Sequence, residues 1–380
     1  MIMHPRFPHL KSMVFGFLLL FTFGSTLSHG RVTVSAPAIP RTPELVLSQP
    51  LTLRWVYGKD KTTNFTPATD AKSVYLPLAD GTLVALNAAD GKLLWKSEAG
   101  GNFSAAPAAD DNAIYVATEY PGGDNNTVRG TLRALSKDTG ITLWMRTLQA
   151  PLRGRLAAGQ SAVFAGAANG FVNAFDKHTG ITVWANSYGD EFNAQPLLDG
   201  DRLYIGSVGG WFRALSQANG SVLWQVRTRG AIRGPIALRD GVLFFGSDDG
   251  HVYAVRNDRG KMLWKRRTGA SVQAVAVVED GVLASSFDNF AYLLSLRHGS
   301  VRWRQLLPGR VPARPVTALD GALFTPLSTD SAIVLSLKDG KPVNRLQIGQ
   351  ENSSSAAPVV VQEIVFLTTA QGLMAFAASR

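Results

Sequence analysis

Ala174-Phe175-Asp176-Lys177-His178-Thr179-Gly180-Ile181-Thr182-Val183-Trp184 is the stretch on which the reading of this chain turns. Ala174 and Phe175 close an apolar run. Positions 176–180 carry turn chemistry, and Gly180 is free to take a positive φ. Positions 181–184 are β-branched and aromatic, as strands prefer. The pattern is strand, tight turn, strand. It recurs as Ala85…Gly91…Trp95, Ala134…Gly140…Trp144, Ala214…Gly220…Trp224, Ala254…Gly260…Trp264 and Leu293…Gly299…Trp303, with a degenerate copy at Val334…Gly340…Asn344. Trp144, Trp184, Trp224 and Trp264 follow one another at a constant spacing, Trp55 and Trp95 share it, and Trp303 comes one position early. A fixed period of this size, about forty positions, means a repeat architecture.

One period shows its content. Positions 192–198 read as a first strand, 202–207 as a second, 211–216 as a third and 221–226 as a fourth, separated by Asp/Gly turns. Four short antiparallel strands per period are the spacing of a propeller blade. Helical repeats would need long apolar runs at helical spacing, and there are none. Seven blades begin near Thr63, Asn102, Pro151, Glu191, Ala231, Ser271 and Val311. An eighth begins near Ser354 and ends after its third strand, at 373–377. Its missing fourth strand is available at 51–57, which carries Trp55. The expected fold is therefore all-β: an eight-bladed β-propeller of four-stranded antiparallel blades, closed by pairing of the N-terminal strand with the last blade, leaving no long free edge. Each repeated Trp offers about 150–250 Å² for burial, roughly 4–6 kcal/mol before entropy, so these residues read as packing between blades. Trp211, which follows Gly209-Gly210, falls outside that pattern and reads as a candidate exposed aromatic.

Ahead of the repeats, Arg6 and Lys11 precede an apolar run at 13–23 and then small residues at Gly24, Ser25, Thr26, Ser28 and Gly30. This order is that of a secretory signal, and the run is short for a membrane span. The domain reading is a signal peptide over 1–30, a proline-bearing linker over 31–50 and the propeller over 51–380. Cleavage is expected near 28–30, with Val34-Ser35-Ala36 as the alternative and an uncleaved anchor as the other fate. After cleavage no transmembrane span remains, and the expected location is periplasmic or secreted. The chain has no Cys, which removes disulfides, thiolate metal sites, a thiol nucleophile and an acylated lipoprotein Cys. The formal net charge is +10; export sets nucleic acid aside as a partner and leaves an acidic protein or an anionic envelope surface. The stretch 225–315 holds 15 Lys/Arg against 7 Asp/Glu, including Lys265-Arg266-Arg267 on an outer strand, so a basic rim facing anionic polymer or lipid is one further expectation.

The Ala-x-(Asp/Asn/Ser)-x-x-x-Gly-x-x-x-Trp motif resembles the quinoprotein-type, or PQQ-like, propeller repeat over nearly all of 51–380. The resemblance implies the fold and leaves the function open. Two groups within it matter. Quinoprotein alcohol dehydrogenases are longer and hold a quinone and Ca²⁺ through Glu, Asn and Asp ligands, typically beside a vicinal disulfide. That disulfide is impossible here, and no ligand set carries over, so no cofactor and no metal are expected. The outer-membrane protein assembly factor (BamB-like) group is similar in length, signal and blade count. Its partner surface includes a Leu-Arg-Gly element, which Leu152-Arg153-Gly154 resembles; Glu191-Phe192-Asn193 stands where that group has two acidic residues, and the lipid-bearing Cys is missing.

Position in the repeat extends the candidate site. Leu152-Arg153-Gly154-Arg155 and Ile232-Arg233-Gly234-Pro235 lie two blade periods apart; Asn193 and Gln273 fill the same position in other blades, and Ala313, beside Arg314, follows. The position opens the innermost strand, so Arg153, Asn193, Arg233 and Gln273, with Arg155, Glu191 and Arg314 nearby, are expected as a polar arc at the channel mouth. Guanidinium groups there suit carboxylate or phosphate. The insertion 119–129, between second and third strands, should overhang the same mouth. His178, His251 and His298 lack partners at metal spacing, Asp248-Asp249-Gly250 lacks the alternating oxygens of a calcium loop, and no nucleophile elbow or phosphate loop is present. The reading is an exported, non-enzymatic scaffold that binds a protein partner of the envelope at the channel mouth, in outer-membrane protein assembly. The alternatives are a quinone-binding dehydrogenase or sensor and a binder of anionic polysaccharide.

Overall fold

Repetition of one hairpin pattern builds a ring. The computed structural model describes residues 45–58, 62–122 and 127–378, and all regular structure among them is β. The leader read over 1–30 lies outside the described residues. Within each repeat the strands pair antiparallel in chain order, innermost first. Six four-stranded sheets stand alone, and an eight-stranded sheet combines two further blades, 102–148 and 152–187, through one parallel bridge between Arg155 and Ala106. The total is eight blades. The last is built from Val359–Val361, Ile364–Thr369, Gly372–Ala378 and, from the other end of the chain, Leu51–Tyr57. Leu51 pairs with Ala378 and Tyr57 with Leu373, with a bulge between Leu53 and Trp55. The expected closure is present.

The repeated Trp and Gly act on neighbouring blades. Gly180 has φ +69°, and a Cβ there would lie 2.4 Å from the Trp144 ring. Gly91, Gly140, Gly220, Gly260, Gly299 and Gly340 are roofed in the same way by Trp55, Trp95, Trp184, Trp224, Trp264 and Trp303. Each blade's Trp thus lies flat on the next blade's outer turn, where only Gly leaves room. Its indole N–H donates to a carbonyl of that turn: Trp95 to Lys137, Trp144 to Lys177, Trp184 to Gln217, Trp224 to Asn257, Trp264 to Leu296 and Trp303 to Leu337, all at 2.8–3.0 Å.

The seventh blade has Asn344 in the Trp position, and its seam is covered differently. Leu47 is fully buried among Leu323, Val334 and Leu346 of the seventh blade and Leu367, Met374 and Phe376 of the eighth. The Asn344 amide donates to the Leu47 carbonyl at 2.9 Å and to that of Gln49. Asp320 accepts from the Leu47 and Ser48 amides at 3.1 and 2.6 Å. The segment 45–50, read in the sequence as the end of the linker, is packed onto this seam.

The innermost strands differ from the sequence reading. The strand expected over 192–198 is only Leu197–Asp199, and its counterparts start at Ala68, Ala237, Val316 and Val359. Each follows closely on a proline: Pro67, Pro196, Pro235, Pro315 or Pro358. Proline has no N–H for the ladder and is tolerated because this strand is an edge. Leu152–Ala158 and Val272–Val278, where Arg155 and Val275 replace the proline, run to full length, and Asn102–Ala109 does so with Pro107 accommodated where the register shifts between Ala105 and Ala108.

Asp–Tyr pairs brace several blades. Burial raises the Asp110 carboxyl, but the Asn112 and Ala113 amides at 2.8 Å and the Tyr115 hydroxyl at 2.9 Å outweigh it, so the group titrates below its ordinary 3.8. Asp70 and Asp249 are lowered by similar bonds, against burial. A carboxyl lowered in the native state contributes stability above its unfolded pKa and loses it as pH falls through the native value. Denaturant midpoints should therefore be level from pH 7 to about 5 and drop below about pH 4; a midpoint unchanged at pH 3 would remove these pairs from the account.

Candidate functional site

The inner strands and the segments that enter them surround a central cavity of about 610 Å³ to which all eight blades contribute. Asn193, Arg233, Gln273, Arg155 and Arg314 line it, as the repeat position implies. The partners of these residues divide them into two sets.

Arg153 and Arg233 are neutralised at the mouth. Arg153 donates to Glu119 at 2.6 Å, with about 29% of its side chain exposed, and Arg233 donates through Nε to Asp248 at 2.9 Å, with about 42% exposed. Asp248 comes from a second-to-third-strand turn, and Glu119 from near the end of a second strand. Glu119 pairs with Gly130 in the hairpin Ala113–Pro121/Val128–Ser136, the stem of the insertion, which therefore does reach this mouth; its tip lies outside the described residues. Gln273 donates to the other Asp248 oxygen at 3.0 Å and to Ser271. Asn193 donates to the exposed Glu191 at 3.2 Å. The arc is thus a chain of amides and ion pairs spread over several blades. Glu119 and Asp248 do not stand out as candidates in the sequence, because their role depends on which turn faces the mouth.

The glycine after each mouth arginine is required by packing. A Cβ on Gly234 would lie 2.0 Å from the Gln273 carbonyl oxygen, and one on Gly154, at φ +70°, 2.6 Å from that of Asn193. Arg-Gly at these two places therefore seats an arginine where one blade's entry strand touches the backbone of the next.

Arg155 and Arg314 form the second set. They come from the third and seventh blades, opposite one another in an eight-membered ring, and both line the cavity. Among the described residues neither makes a hydrogen bond or an ion pair. Both are ringed by protein at a distance, yet Arg155 is only half-buried and Arg314 is exposed to the solvent that fills the channel. Partial desolvation lowers both guanidinium pKa values, and repulsion from Arg314 lowers that of Arg155 further. Both keep their charge at neutral pH.

Trp211 is half-buried. Arg213 and Arg227 lie over its ring at 5.4 and 4.9 Å, and Arg213 reaches Asp190 at 3.6 Å. Its surroundings make it a packing residue for buried Arg213. On the outer strand, Arg266 donates to the Gly299 carbonyl at 2.6 Å, while Lys265 and Arg267 are exposed. The residues lining the cavity include no carboxylate, and among the described residues no group of three or more His, Cys, Asp or Glu could hold a metal. No carboxylate among the lining residues is thus placed to hold a Ca²⁺ beside a quinone.

No curated protein sequence matches the chain. Among solved structures, BamB from Moraxella catarrhalis is similar with a TM-score of 0.72 at 18% identity, covering 87% of this chain and 98% of that one. A europium-containing methanol dehydrogenase is similar at 0.69 and 14%, covering 83% and 84%. A quinohemoprotein alcohol dehydrogenase from Comamonas testosteroni is similar at 0.66 and 12%, covering 87% and 77%. These likenesses concern the fold, which catalytic and non-catalytic proteins share. The family model described as outer membrane protein assembly factor BamB matches residues 48–129, 128–235 and 210–380, the whole propeller. The chain, although without any cysteine to carry a lipid, belongs to the family of the outer membrane protein assembly factor BamB and is a PQQ-like repeat propeller.

Proposed function

We propose that this protein is an exported, non-catalytic scaffold of the bacterial envelope that binds a protein partner at the channel mouth during outer-membrane protein assembly. The observation that carries this reading is the pair of Arg-Gly entry segments, whose arginines are held at one mouth by Glu119 and Asp248 while remaining partly exposed. An arginine already oriented by one carboxylate has donors left over for a second, and a rim charge of this kind steers and selects a partner. Family membership supports the scaffold role, and the carboxylate-free channel favours it over quinone chemistry.

Partner capture from envelope extract tests it. Arg153→Glu and Arg233→Glu place like charges against an acidic partner surface, and each should reduce capture about tenfold or more. If one partner group spans both sites, the double variant should lose less than the sum of the two. Lys265→Glu, on an outer strand, should leave capture nearly intact. Thermal melting of the four proteins should agree within a few degrees. Capture equal to wild type in both arginine variants, or lost only in step with unfolding, rejects the reading. Quinone absorbance with dye-linked alcohol oxidation in the purified protein would instead make it an enzyme.

A further inference from the structure

We propose that the central channel is itself a binding site for a small organic dianion, one carrying two carboxylate or phosphate groups, gripped between Arg155 and Arg314. The site goes beyond the partner-binding mouth and uses different residues.

Charge supports it first. The cavity is lined by three arginines and no carboxylate, and Arg233 is already paired with Asp248. Two uncompensated positive charges remain. They are held by opposite blades, so the ring keeps them facing one cavity although they repel each other. Arg155 is half-buried and Arg314 exposed, so what opposes them is mutual repulsion across one cavity, and a doubly charged anion between them removes it. A guanidinium binds carboxylate or phosphate through two parallel N–H bonds, so two of them suit a ligand with an anionic group at each end.

The rest of the lining fits a small molecule. Its volume of about 610 Å³ lies within the range of small-ligand pockets, roughly 300–1,000 Å³. Gln195 and Asn64 offer amides, and Phe65, Pro312 and Pro358 offer an apolar wall for a carbon skeleton. Arg155 also stands where Pro235 and Pro315 stand two and four blade periods further on. A charged side chain at that position is not needed for the strand, since other blades do without it. Glu279, in an adjoining cavity that Arg314 also lines, makes no ion pair with it.

Calorimetric titration of the purified propeller with pyrophosphate, a dianionic dicarboxylate (succinate) and citrate tests the site. At least one probe should bind one-to-one with Kd below about 1 mM, and the ranking tells phosphate from carboxylate. Arg155→Met and Arg314→Met should each weaken it tenfold or more and should melt no lower than wild type without ligand, because repulsion has been removed. Lys265→Met, on the outer strand, should bind as wild type does. If Arg155→Met does not fold, Arg314→Met carries the test from the opposite blade. No binding by any probe up to 10 mM, or equal binding by the Arg155, Arg314 and Lys265 variants, overturns the proposal. Either result leaves partner capture at the mouth untouched, so the two readings fail separately.

Discussion

Removing residues 51–57 should leave a protein that aggregates or melts far below the intact one. The segment is the outer strand of the last blade, paired along its length with Gly372–Ala378 from the opposite end of the propeller chain. Its Trp55 packs on Phe366 with ring centroids 5.5 Å apart and roofs Gly91 of the first blade. Trp55 is half-buried, so loss of its ring removes part of the about 4–6 kcal/mol that full burial of a tryptophan gives before entropy. The ladder groups of Gly372–Ala378 would become a free edge able to pair with a second molecule. Size-exclusion chromatography with light scattering, alongside a thermal melt, reads both effects. A truncated protein that stays monomeric and melts with the intact one would show that the ring does not depend on its closing strand.

Gly180→Ala should be, with Gly140→Ala, among the most damaging single methyls in the chain's repeated motif. The new Cβ meets Trp144 at 2.4 Å, and the residue must hold φ +69°. Left-handed backbone costs an L-residue about 1–2 kcal/mol, and overpacking adds about 1–3 kcal/mol. Gly189→Ala separates the two, since it has φ +71° and nothing within 4 Å of its Cβ. Urea unfolding should place Gly189→Ala about 1 kcal/mol below wild type and Gly180→Ala about 2–5 kcal/mol below. Equal losses would mean that the Trp144 ring yields freely and that the Trp–Gly contact does not hold blades together.

The architecture was legible because its determinants are local and repeated. A turn that requires Gly180 and a large Trp184 recur together, so period, blade count and the complementary ends follow from position alone. The inner strands read longer than they are because the apolar pattern continues through Phe192 while Pro196 withholds the ladder donor. The site was legible as a set of positions and not as a set of charges. Arg153 and Arg233 look alike in the repeat, and their neutralisation by Glu119 and Asp248 depends on how turns lean over the mouth. Arg155 and Arg314 share the same stretch of the repeat, yet what distinguishes them is who stands across the ring, four blades away. Leu47 had no motif to announce it; its role exists only because Asn344 is not a tryptophan.

The indole-to-carbonyl clasp makes the ring directional, every blade gripping the one that follows, and it is not the same at every joint. Six joints carry the clasp. The two that lack it flank a single blade: Asn344 stands on one side, and on the other the Trp55 indole N–H has no acceptor among the described residues. That blade also holds both ends of the propeller chain. The eighth blade is therefore joined to its neighbours by other means than the rest: buried Leu47 and the Asp320 and Asn344 bonds to 47–49 replace the clasp on one side, and the Trp55 ring packs without it on the other. Thermal breathing or an applied pull should part the ring first where Trp55 meets the first blade, while the six clasped joints between the first and seventh blades stay together as a continuous arc.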